Sequence, residues 1–218
     1  MILFFHNYFE LFSLLVAILS VAKLKNSFMA WFIPYLIIII TVELGANNYW
    51  FAVKGNNSHF YVIINGISYY FFSFIFYKLT SNNLFKKVIL IAGIAFIGIM
   101  ISVWLQPVTG PKYDIIVTSI ALSSYACMYF YSTMQDDGKE DEYSYVSGLW
   151  IASGILIFYL GIIICFSLLN YIRENNLSVG GVRLYAFIPR CLSAILYSCF
   201  CISFVLWKAP MKSLSSQS

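Results

Sequence analysis

A chain of 218 residues, 61% of them hydrophobic and 10% charged, falls far below the roughly 25% charged residues of an ordinary soluble domain. Whole runs of about twenty residues carry no polar face, which excludes a water-soluble core and predicts an all-α, polytopic transmembrane bundle. The net charge of +4 is modest and scattered over short loops, so it bears on membrane topology and argues against nucleic acid as a partner.

In chain order, the first apolar run covers about residues 3–21. A secretory signal is the competing reading, but the run lacks a basic start and Glu10 interrupts its apolar centre, so a retained helix is expected. His6, Glu10, Ser13, Ala17 and Ser20 recur there at helical spacing, a polar and small stripe that should face other helices and not lipid. Lys23 and Lys25 mark a tight turn before a second span, about 29–46, with Glu43 near its far end. A connector rich in amides and aromatic rings, Asn47, Asn48, Tyr49 and Trp50 onward to Asn57, reads as an interfacial loop. The third span, about 59–79, begins at His59 and carries Tyr61, Asn65, Ser68 and Tyr69 on one face.

Lys78, Lys86 and Lys87 bracket the next turn, and the fourth span, about 88–105, has Gly93 and Gly98 among its small residues. Small residues let another backbone approach closely. Pro107, Gly110 and Pro111 break the chain before a fifth span, about 113–134, which contains Thr118, Ser119, Ser123 and Ser124. The charged segment Asp136 to Glu142 lacks the alternating oxygen ligands of a calcium loop and reads as solvated. The sixth span, about 145–170, spaces Gly148, Ala152, Gly154 and Gly161 as a helix-packing face. The seventh, about 184–207, carries Arg190 directly after Pro189, and residues 208–218 form a short flexible tail. Residues 1–207 thus make a single transmembrane domain of about seven helices. All five cysteines lie inside apolar runs without metal or disulfide spacing, so they count as small hydrophobes.

Basic residues near the span ends set orientation. Lys23, Lys25, Lys78, Lys86, Lys87, Lys139, Lys208 and Lys212 fall on one side, whereas Lys54, Lys112, Arg173 and Arg183 fall on the other. The excess predicts the amino terminus outside and the carboxy terminus in the cytoplasm. At about 1.5 Å of rise per residue, Glu10, Asn65 and Arg190 then sit roughly 10 Å below the outer surface, with Glu43 close to that level. His6 and His59 lie nearer the surface, and Thr118 reaches a comparable depth. A buried arginine needs a partner, and Glu10 or Glu43 is the expected one. One reading makes that pair structural, worth about 1 kcal/mol. The other makes Arg190, Glu10, Glu43, Asn65, His6, His59, Tyr61 and Ser68 an outward-facing pocket, because two carboxylates and one arginine leave an acid over for a proton or a cationic ligand.

No HExxH, GxSxG or serine–histidine–aspartate arrangement is present, and no lysine stands at mid-depth of the seventh span where a retinal Schiff base would need one. Catalytic residues, metal ligands and cofactors are therefore not expected. The layout, together with Asn47 to Trp50 and the Phe- and Tyr-dense stretch Asn57 to Tyr77, resembles small seven-helix inner-membrane proteins of Bacteroidota. The resemblance implies the architecture and a bacterial inner-membrane address, and it brings no activity with it. Three roles fit: a membrane-embedded sensor or accessory subunit working with another membrane protein or a second copy, a small proton-coupled or cation carrier, and an intramembrane lipid enzyme.

Overall fold

The computed structural model describes residues 5–25, 27–47, 58–105, 113–135 and 142–207. Its long elements are α1 (Phe5–Leu19), α3 (Phe32–Asn47), α4 (Ser58–Leu79), α5 (Asn83–Leu105), α6 (Tyr113–Gln135), α7 (Glu142–Ser167) and α9 (Leu184–Leu206). Two short helices, α2 (Val21–Leu24) and α8 (Leu169–Glu174), lie between them. The turns are closed by local hydrogen bonds. Ser27 Oγ accepts from the Met29 amide at 3.2 Å to start a 3-10 turn over Phe28–Trp31. Asn82 Oδ1 accepts from the amides of Leu84 and Phe85 and so caps α5. Ahead of α9, β1 (Ser178–Val179) and β2 (Val182–Arg183) pair antiparallel around Gly180 and Gly181, whose φ angles of +57° and +77° suit a two-residue hairpin turn.

Six segments are long and apolar enough to cross a bilayer: Phe28–Gly45, Val62–Leu79, Asn83–Val103, Asp114–Gln135, Tyr145–Ser167 and Leu184–Leu206. The first helix is shorter. At 15 residues it extends about 22 Å, less than the roughly 30 Å of a hydrocarbon core. The expected seven spans are thus six long helices and one shorter apolar helix, which together define a multi-pass membrane protein.

The helix α1 is inside-out by soluble standards. His6, Asn7, Glu10, Ser13 and Ala17 are buried, while Tyr8, Phe12, Leu15 and Leu19 are exposed. That is the pattern of a helix whose outer face meets lipid and whose polar stripe meets protein. It packs on α3 and α9.

The core is aromatic. Tyr35 stacks on Phe71 at 3.9 Å, Tyr69 stacks on Phe96 at 3.8 Å, and Phe32 meets Phe200 and Phe204 edge-on. The most extensive seam joins α7 to α9. A Cβ added at Gly154 would lie 2.8 Å from Cys199 Cβ, and one at Gly161 would collide with Leu192, so both glycines are there for close approach. Buried Ser147 and Ser203 tie the same two helices with a 2.6 Å contact between their hydroxyl oxygens. Pro189 has no N–H and so cannot serve the carbonyl of Tyr185, four residues earlier in α9. The Cys165 thiol of α7 meets that carbonyl at 3.9 Å, an example of a neighbouring helix satisfying a backbone group freed by proline.

Candidate functional site

Helical spacing places His6, Asn7 and Glu10 on one face of α1, three and four residues apart. The penultimate turn of α3 brings Glu43 to the same place. His6 Nε2 and Glu43 Oε2 are 3.4 Å apart. The Asn7 amide donates to Glu10 Oε2 at 3.2 Å and to Glu43 Oε2 at 3.4 Å, bridging the two acids. One imidazole atom and one oxygen from each carboxylate all lie within 4.8 Å of one another. Glu10 is wholly buried and its Oε1 has no hydrogen-bond partner, whereas 26% of the Glu43 side chain is exposed. Tyr197 of α9 lies beside Glu10.

Two ionised carboxylates within 4.8 Å of each other repel by more than about 3 kcal/mol even at an effective dielectric constant of 20. They require positive charge beside them, whether a proton, a protonated His6 or a bound cation. Among the described residues, His6 and Asn7 are partners of the acids, and Arg190, expected from the sequence to answer one of them, stands half-buried in α9 one residue after Pro189. An amide bridges the pair but supplies no charge.

Asn65 goes elsewhere. Its amide donates to Asp114 Oδ2 at 3.0 Å and to Thr118 Oγ1 at 3.1 Å, forming a second buried polar cluster between α4 and α6. Ser68 pairs with Tyr35 at 3.2 Å. The readings of His59 and Tyr61 concern side chains outside the described residues. Among the predicted packing residues, Gly148 abuts Tyr129 and Ala152 is buried. Gly93 lies 3.9 Å from Tyr70 by its notional Cβ and accepts that residue's hydroxyl proton at its carbonyl. Nothing approaches Gly98 within 4 Å, so the expected small-residue seam on α5 is only half used among the described residues.

Asn7, Asp114 and Tyr197 were not singled out from the sequence. Asn7 was legible as the residue three before Glu10. Asp114 was legible as the residue four before Thr118, on the face that meets Asn65.

The fold and these buried groups define the class: a multi-pass helical membrane protein with polar side chains held between its helices. Compared with protein-family models, with curated proteins and with solved structures, the chain matches none.

Proposed function

We propose that the protein is a membrane-embedded sensor or accessory subunit of a bacterial inner membrane, with its amino terminus outside, and that its outer polar pocket takes a small cation. The observation that carries this reading is the convergence of Glu10 and Glu43 on His6 with an amide as their bridge. Purely structural pairs in membranes gain their energy from matched partners. Two acids converging on one imidazole bring more negative charge than that ring can neutralise, which supports a receptor for positive charge.

Residues held for function at the expense of stability betray themselves when replaced. The test is the thermal midpoint of detergent-purified protein, in buffer with and without added cations. Replacing Glu10 by Gln keeps the shape and removes one charge of the repelling pair. The proposal predicts a midpoint at or above that of the wild type and loss of any stabilisation by cations. A drop as large as that caused by disrupting the α7–α9 seam makes the cluster structural and ends the proposal.

A cation carrier is the second reading. It is favoured by the graded exposure of the two acids, Glu43 partly exposed and Glu10 wholly buried. Cation flux in proteoliposomes that Glu10→Gln abolishes supports it, and a tight, flux-free response returns the case to a sensor.

A further inference from the structure

We infer that His6, Glu10 and Glu43 form a site for a divalent first-row transition-metal ion of the zinc class. This rests on the cation-pocket reading and specifies its ligand.

Geometry comes first. Two ligands each 2.0–2.1 Å from a tetrahedral zinc stand about 3.3 Å apart, and His6 Nε2 and Glu43 Oε2 stand 3.4 Å apart. The third donor, from Glu10, lies within the 4.8 Å that spans the whole group. His6 and Glu10 are four residues apart on one helix face, a spacing that lets a helix offer two ligands to one ion.

Charge selects the valence. Two carboxylates and a neutral imidazole carry two negative charges, which a divalent ion cancels and a monovalent ion does not. In a low-dielectric site the residual charge is costly. Chemistry then selects among divalent ions: calcium and magnesium favour all-oxygen shells, whereas an imidazole nitrogen suits zinc and its neighbours.

An independent observation points the same way. Glu10 is wholly buried, yet its Oε1 meets no hydrogen-bond donor while Oε2 takes the Asn7 amide. A buried carboxylate oxygen left without a partner costs the full desolvation of that atom, and metal ligation satisfies it. Asn7 acts as a positioning residue, since its amide ties the Oε2 atoms of both acids together. The partly exposed Glu43 leaves a way in. Three protein ligands leave a fourth position of a tetrahedral ion open to water.

The experiment uses the full chain in detergent, stripped with a chelator and titrated with Co2+, whose visible absorption reports its ligands. Expected is saturation at a single equivalent, displacement by Zn2+ and indifference to Mg2+. His6→Gln and Glu10→Gln should each weaken Co2+ binding by about tenfold or more, while thermal unfolding shows both variants folded. Should Glu10→Gln fail to fold, His6→Gln decides. Absent Co2+ absorption in folded wild type, or equal affinity in the variants, overturns the metal site. If that happens while Glu10→Gln still raises the thermal midpoint and other cations still stabilise the wild type, the broader cation reading survives. If Glu10→Gln instead melts well below the wild type and His6→Gln binds Co2+ as the wild type does, both fall together.

Discussion

The helix α9 is held on two sides by two different chemistries. Toward α7 it meets Gly154, Gly161 and the Ser147–Ser203 hydrogen bond, where small residues and neutral hydroxyls bring the backbones together. Toward α1 and α3 it closes a corner where two glutamates, a histidine and an asparagine face one another. The first seam is satisfied and tight. The second holds ionisable side chains, with Glu10 Oε1 buried and without a hydrogen-bond partner, an arrangement that is costly between membrane helices. The contrast separates a seam that keeps the bundle together from a corner that, under the proposed function, is kept in spite of its effect on stability.

The largest expected effect lies in the tight seam. Gly154→Val forces a side chain into the space of Cys199 Cβ and should cost about 2–3 kcal/mol by overpacking, read as a lower thermal midpoint in detergent with or without cations. Next is the α4–α6 cluster. Asn65→Ala removes the donor to buried Asp114, and leaving that carboxylate oxygen unmet should cost about 2 kcal/mol. A double change with Asp114→Asn should recover part of the loss, and failure to recover would show that Asn65 matters for packing alone. Ser203→Ala removes one interhelical hydrogen bond and should cost about 1 kcal/mol or less. The smallest change in stability, and the one of opposite sign, belongs to the charged corner, where Glu10→Gln should be neutral or stabilising by up to about 1 kcal/mol.

The same contrast shows what a sequence discloses. The stripe His6, Glu10, Ser13 and Ala17 was legible because a helix repeats every 3.6 residues and a polar stripe in an apolar run has to face protein. All four are buried in α1. That Glu43 joins them was not legible, because its place depends on how α3 turns about its own axis against α1. Periodicity within α3 is silent on this, as the helix is apolar nearly all round. Asp114 stands in the first turn of α6, where an acid is ordinary, and the approach of Asn65 from α4 is what makes it part of a buried cluster. Small residues behave likewise. Gly154 and Gly98 look alike as letters, yet α9 presses on the first and nothing in the described chain approaches the second. Spacing shows which face is special, and the neighbour decides what that face does.

The most direct measurement is the thermal midpoint of the detergent-purified protein for wild type, Glu10→Gln, Glu43→Gln and Gly154→Val, each with and without added cation. The account predicts that both Gln variants melt at or above the wild type and no longer respond to cation, while Gly154→Val melts lower and keeps its response. Gln variants that melt as low as Gly154→Val and respond to cation as the wild type does would contradict it.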